Sequence, residues 1–188
     1  MATVHAGMTM SLDGFVADRQ GGTARLSDPD ASNGSAYMDE LIQETGAVVL
    51  GRRTYAMAED PDWYVGNYEF QVPIFVVTHT PPPVPPKQDE NLTFTFVTDG
   101  IVSAVAQARA AAGERAVKVI GTSVVRQSLR AGLADELHVD VAPVLLGAGL
   151  PLFGDPDLEG VTLEKIDARN VGRFTALRFR CTAPIVEA

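Results

Sequence analysis

Short apolar runs that read as buried strands alternate along this chain with segments whose apolar residues recur at helical spacing. That alternation commits it to a layered α/β sheet rather than a β-sandwich. Ala47-Val48-Val49-Leu50 is the clearest strand, apolar on both faces. Before it, Tyr37, Met38, Leu41, Ile42 and Thr45 fall at helical spacing, with Asp39, Glu40 and Glu44 left for water and Gly46 as a C-terminal stop. Pro73–Thr78, Thr93–Thr98 and Ala116–Ile120 repeat the strand pattern. Ile101, Val102, Val105, Ala108 and Ala112, closed by Gly113, predict one more helix, and Val124, Val125 and Leu129, ending near Gly132, another.

The two ends of the chain differ from this middle. Val4–Met10 reads as a first strand stopped by Asp13-Gly14, followed by a polar, glycine-rich loop to about Asp30 that has the length of a lid. Leu137, Val139 and Val141 alternate with His138 and Asp140, so that strand has one apolar and one polar face. Residues 161–171 and 173–181 predict a terminal hairpin around Asn170-Val171-Gly172, with Thr175, Leu177, Phe179 and Cys181 toward the core. With no internal repeat and no interdomain linker, the expectation is a single domain over 1–188. The prolines of Thr80–Pro86 predict a stiff surface loop.

Charge and cysteine usage narrow the partners. A formal charge of −9 makes nucleic acid and anionic lipid surfaces poor partners, since both repel an acidic protein. The lone cysteine, Cys181, leaves no intramolecular disulfide and no Cys-x-x-Cys metal site, and His-Glu-x-x-His is absent, so no metal is expected. No apolar stretch approaches the roughly 20 residues that span a bilayer, and a cytoplasmic protein is expected.

Walker loops and Gly-x-Ser-x-Gly elbows are missing, and Gly147-Ala148-Gly149 is followed by glycine only at 154, so the dinucleotide fingerprint of the Rossmann fold fails. Two strand ends nevertheless suit an anion. Val48-Val49-Leu50 runs through Gly51 into Arg52, Arg53 and Thr54, which read either as a phosphate grip or as solvated surface. Gly121-Thr122-Ser123 follows Val119-Ile120, and reads either as a second such loop or as an ordinary hydroxyl N-cap. In open α/β sheets ligands bind outside strand C-termini, so both loops, with the one after Val77, are expected to line one crevice.

Met10-Ser11-Leu12-Asp13-Gly14-Phe15-Val16-Ala17 and Gly51-Arg52-Arg53-Thr54-Tyr55 resemble two hallmarks of the dihydrofolate-reductase superfamily. Leu129–His138, continuing through Ala142-Pro143-Val144-Leu145-Leu146-Gly147-Ala148-Gly149 to Leu152-Phe153, resembles the riboflavin-type reductase branch, found elsewhere as the C-terminal domain of a bifunctional deaminase/reductase. The resemblance implies a three-layer dihydrofolate-reductase-like fold, NADPH as cofactor and a homodimer. By the same resemblance Gly51, Arg52, Arg53 and Thr54 hold the cofactor's phosphates, and Thr78 and His79 lie near the 2′-phosphate. Gly121, Thr122, Ser123 and Val124 lie near the pyrophosphate and nicotinamide, with Val16 and Ala17 at the nicotinamide. The family's usual glycine pair is Gly121-Thr122 in this chain.

The implied activity is reduction of a nitrogen heterocycle, as in 5-amino-6-(5-phosphoribosylamino)uracil reduction. Dihydrofolate reduction and a non-catalytic nucleotide-binding role are the alternatives. Hydride transfer needs a proton at the adjacent atom. Asp13 is the first candidate acid, equally readable as a turn aspartate, and Asp140 beside His138 is the second. Tyr37, Met38 and Leu41 are candidates to flank a flat substrate, or form a packing stripe. Trp63 and Tyr64 either close over the site or anchor a loop.

Overall fold

The computed structural model describes residues 1–27, 36–154 and 158–182. In chain order the elements are β1 (Val4–Ser11), β2 (Phe15–Ala17), α1 (Ala36–Glu44), β3 (Thr45–Gly51), α2 (Arg52–Tyr55), α3 (Tyr64–Asn67), β4 (Ile74–Val77) and β5 (Phe94–Val97). They continue with α4 (Ile101–Ala112), β6 (Ala116–Ile120), α5 (Thr122–Arg130), β7 (Glu136–Ala142), β8 (Leu150–Pro151), β9 (Thr162–Val171) and β10 (Phe174–Thr182). The alternation of strand and helix that the apolar pattern dictates is therefore present from β3 to β7. The predicted lid loop runs through β2 and a short 3-10 turn at Ala24–Leu26, and its part beyond residue 27 lies outside the described residues.

Eight strands form one mixed sheet in the order β5-β4-β3-β6-β1-β7-β10-β9, parallel from β5 to β7 and antiparallel at β10 and β9. Period-two alternation sorts each strand's side chains between two faces. Val4, Ala6, Ala47, Val49, Val117, Val119, Leu137 and Val139 pack with Ile101, Val105, Val124 and Val125 of α4 and α5. Val48, Leu50, Ile74 and Val76 pack on the other face with Leu41 of α1 and the aromatics Tyr55, Tyr64, Phe70 and Phe94. Val48, Val49 and Leu50 are buried on both faces as expected, each contributing about 1.5–3 kcal/mol of apolar burial. Among the described residues no helix is long and apolar enough to cross a membrane.

Two local expectations change. Gly46 lies inside β3 and does not stop α1, which ends at Glu44. A Cβ at Gly46 would stand 2.5 Å from the Ala112 carbonyl oxygen and 2.8 Å from Arg115 Cβ, so the glycine serves the close approach of β3 to the end of α4. In the hairpin, Phe179 and Cys181 do pack against the larger core, but Thr175 is exposed next to the turn and Ala176, on the opposite face, is buried. Ala176 and Arg178 pair with Asp140 and His138, which extends the polar face of β7 across β10.

Candidate functional site

Because β3 and β6 are neighbours with Leu50 level with Ile120, the loops that leave them start side by side. Gly121 has φ 118° and ψ 130°, and a Cβ there would fall 2.5 Å from Thr54 Oγ1 and 3.5 Å from the Gly51 nitrogen. Gly51 in turn leaves only 3.6 Å between a built Cβ and Val124 Cγ1. The two strand-end loops thus touch each other through Gly51–Thr54 and Gly121–Val124. Positive φ is confined to glycines among the described residues, so Thr122 takes its place in the first turn of α5 without strain and Gly121 alone carries the unusual geometry.

The groups at this junction suit an anion. Arg52 and Arg53 are exposed, and the α5 N-terminus has no side-chain cap, which leaves its first-turn N–H groups without a capping partner. Ser123 Oγ accepts from Gln127 Nε2 at 2.9 Å, and the Thr122 hydroxyl points to Met8 Sδ at 3.8 Å. On the neighbouring strand end Thr78 is buried, its hydroxyl donating to the Thr80 carbonyl at 2.9 Å, while His79 is exposed. Val16 and Ala17 are buried in β2, which pairs with β8; Gly149 approaches so closely that a Cβ would lie 2.0 Å from the Ala17 carbonyl oxygen.

Beside Thr54 a cavity of about 620 Å³ opens on the α1 side of the sheet. Leu50 and Ile120 form its strand-end floor, and Met57, Trp63, Tyr64 and Tyr68 supply much of its apolar wall. Tyr64 is buried and fixed by edge-on contacts with Trp63 at 5.8 Å and Tyr68 at 5.2 Å, and its hydroxyl donates to the Tyr55 carbonyl at 3.1 Å. Trp63 and Tyr64 therefore both line this cavity. Met57, Tyr68 and Glu69, also in the lining, escaped the sequence reading because residues 56–72 carry no period.

The two candidate acids have opposite environments. Asp13 accepts the Ser11 hydroxyl at 2.6 Å and the backbone N–H groups of Leu146 and Gly147 at 3.1 and 2.7 Å, an arrangement that ties the β1–β2 turn to the 143–149 loop. These donors, the Ser11 hydroxyl foremost, hold its carboxyl down at about 2, so it carries no proton at neutral pH. Asp140 is the reverse: burial raises its carboxyl, and Tyr37 donates its hydroxyl to Oδ1 at 2.8 Å. Tyr37 also lies under the Arg169 guanidinium, 5.5 Å from its ring centre. Met38 is partly buried against the aromatic core, and Leu41 is buried within it beneath α1.

Asp140 and Ile120 share one face of the sheet. Ala6 pairs with Val119 and Leu137, and Thr9 pairs with Asp140, so Asp140 stands one side-chain step nearer the C-terminal edge than Ile120 and two strands away, roughly 10 Å. Lower on that face, His5, Glu136 and His138 bring ligand-type atoms within 4.8 Å of one another, a grouping set by β1–β7 register and not legible beforehand. The two rings stack at 4.4 Å, and His138 Nε2 lies 2.8 Å from Glu136 Oε2.

Burial first, and then each other's charge for His5 and Lys118 for His138, lower these imidazoles from 6.5 to about 4 and about 3. Unfolded imidazoles take up protons as pH falls through 6.5 while the folded ones stay neutral, so the unfolded state binds more protons and stability declines below that pH. Between pH 7 and pH 5 the expected loss is about 2 kcal/mol per imidazole. Urea unfolding at the two pH values checks it, and His138→Gln should shrink the difference; an unchanged difference contradicts the assignment.

The family model of the RibD C-terminal domain matches residues 2–177. YwjB of Bacillus subtilis, an uncharacterized protein, is 29% identical over 147 residues, covering 78% of this chain and 79% of YwjB. YyaP of the same organism, also uncharacterized, is 22% identical over 175 residues, 86% of this chain and 85% of YyaP. Among solved structures, a putative riboflavin biosynthesis protein from Shewanella sp. PV-4 superposes with a TM-score of 0.77 at 26% identity, covering 97% of this chain and 99% of that one. The Thermotoga maritima diaminohydroxyphosphoribosylaminopyrimidine deaminase/5-amino-6-(5-phosphoribosylamino)uracil reductase gives 0.70 at 15% identity, a likeness of fold, with 96% of this chain matched to 57% of that one.

Proposed function

This chain belongs to the RibD C-terminal domain family and has its dihydrofolate-reductase-like fold, and from that membership we propose that it is an NADPH-dependent reductase of a nitrogen heterocycle, of the riboflavin-pathway type. The observation that carries the reading is the junction of Gly51–Thr54 with Gly121, where only a hydrogen leaves room against Thr54 Oγ1. Such a cradle fits a dinucleotide: exposed Arg52 and Arg53 and the uncapped N–H groups of α5 suit its phosphates. Thr78 and His79 would meet the 2′-phosphate, and Val16 and Ala17 would border the nicotinamide. When bound, NADPH supplies a hydride to an electrophilic carbon of the substrate.

The chain's own part is to position and to supply a proton. Asp140, whose carboxyl burial raises above its ordinary value and which Tyr37 orients, is the group suited to protonate the nitrogen next to the reduced carbon. Asp13, ionised and fully engaged by donors, orders the loops. Activity carried by protonated Asp140 is present below its raised pKa and lost as pH rises through it. Asp140→Asn should lower kcat by about 10²–10⁴ and flatten that limb of the pH–rate profile; a variant that keeps the wild-type profile removes Asp140 from the reaction.

Cofactor titrations test the rest. Arg52→Ala and Thr54→Ala should each weaken NADPH binding by about tenfold to a hundredfold, the worth of one hydrogen bond to a charged group, with melting unchanged. Unchanged affinity in both variants takes this loop out of the site. Rates with dihydrofolate and with the phosphoribosylaminouracil, compared directly, separate folate reduction from the pyrimidine reading. The same reading includes pairing with a second copy, which light scattering checks as a species of twice the chain mass.

A further inference from the structure

On the reductase reading, the substrate reaches from Asp140 into the cavity beside Thr54, whose lining does not include Asp140, and that lining selects the charge of the part it holds. The ionisable side chains there are the carboxyls of Glu59, Asp60 and Glu69 and the phenols of Tyr64 and Tyr68; among the described residues no lysine, arginine or histidine lines it. Glu59, Asp60 and Glu69 are exposed at the rim, so they act through solvent on whatever approaches, and partial burial of the Glu69 carboxyl raises its pKa above the ordinary value. Of the bases nearby, Lys118, Arg169 and Arg178 face carboxylates. Lys118, two residues before Ile120 in β6, is partly buried and faced by Asp140, Glu44 and Glu136. Arg178 pairs with Glu40 and Glu44, and Arg169 with Glu40 and Asp167. Lys87 meets this segment through its backbone N–H, which donates to Asp62. Arg52 and Arg53 are exposed beside Thr54, where on the reductase reading the NADPH phosphates would neutralise them.

We propose that the cavity takes an unphosphorylated flat heterocycle, uncharged or cationic, and discriminates against a phosphoribosyl substrate of the kind the deaminase/reductase relatives are named for. The inference rests on the reductase reading and narrows it. A phosphate-bearing tail needs arginines, lysines or a run of free N–H groups, and this lining offers carboxylates in their place. The apolar floor of Leu50 and Ile120, with the rings of Trp63, Tyr64 and Tyr68, suits a planar apolar body. Three carboxylates acting on a dianion at roughly 8–10 Å through screened water amount to about a tenfold loss of affinity.

The test uses the full chain saturated with NADP⁺ and calorimetric titration of two compounds that differ only in the phosphate: 5-amino-6-(5-phosphoribosylamino)uracil and its dephosphorylated form. The dephosphorylated compound should bind about tenfold more tightly, the gap should narrow at high salt, and Glu59→Gln combined with Glu69→Gln should narrow it to about twofold. Both glutamates are exposed, so an unchanged melting temperature is expected of the double variant. Equal or tighter binding of the phosphorylated compound, or a gap that the double variant leaves intact, overturns the inference. Binding of neither compound by protein that still binds NADP⁺ overturns it too, and leaves the cofactor reading standing. Failure to bind NADP⁺ at all would instead defeat the reductase reading on which the inference depends.

Discussion

Alanine at Gly121 should weaken NADPH binding by about a hundredfold or more and cost the fold about 2–3 kcal/mol. Two effects combine. At φ 118° an L side chain is strained by about 1–3 kcal/mol. Its Cβ would also lie 2.5 Å from Thr54 Oγ1, forcing either the Thr54 side chain or the whole Gly121 turn to move. Since the same turn opens α5, moving it displaces the N–H groups proposed to bind phosphate, and a displacement of about 1 Å is enough to lose such bonds. Thr122→Gly is the informative partner. It removes no contact with Thr54 and should leave NADPH affinity within about threefold, because Thr122 already has a helical conformation. Calorimetric titration of the three proteins decides the matter, and equal affinity of Gly121→Ala and wild type would show that the cofactor does not use this junction.

A second glycine carries the largest expected stability effect. Gly7 lies in the middle of β1, and a Cβ there would stand 1.7 Å from the His138 carbonyl oxygen and 2.6 Å from its carbonyl carbon on β7. Both are backbone atoms in the centre of the sheet, so relief requires parting β1 from β7. Gly7→Ala should therefore lose more than about 4 kcal/mol, a large fraction of the 5–15 kcal/mol typical of a domain. Gly14 provides the contrast. It has φ +85° and nothing within 4 Å of a built Cβ, so Gly14→Ala should cost only about 1–2 kcal/mol of backbone strain. Urea unfolding of both variants measures the difference, and comparable losses would mean that β1 and β7 can separate locally at little cost.

These glycines also show what the sequence could and could not disclose. The order of strands and helices was legible because burial of one or two faces writes a period into the chain, as in Val48-Val49-Leu50 or in Val124, Val125 and Leu129. The strand-end loops were legible as well, since Gly51-Arg52-Arg53-Thr54 and Gly121-Thr122-Ser123 each close such a run. Gly46 was misread as a helix stop because a glycine that ends a helix and one that admits a neighbouring backbone look the same in one dimension. Contacts that depend on register were beyond reach: the Tyr37–Asp140 hydrogen bond joins α1 to a strand on the far side of the chain's middle, and the His5–Glu136–His138 group exists because β1 lies against β7. The cavity was half legible. Trp63 and Tyr64 stood out as aromatics, whereas Met57 and Glu69 belong to an aperiodic segment that only the folded chain brings over Leu50 and Ile120.

Cofactor binding is most directly measured by a calorimetric and thermal titration of the chain with NADPH. One site per chain is predicted, with binding heat and a melting temperature that climbs with concentration, corresponding to about 2.7 kcal/mol of added stability when NADPH is a hundredfold above its Kd. Neither heat nor a rise in melting temperature at millimolar NADPH would contradict it.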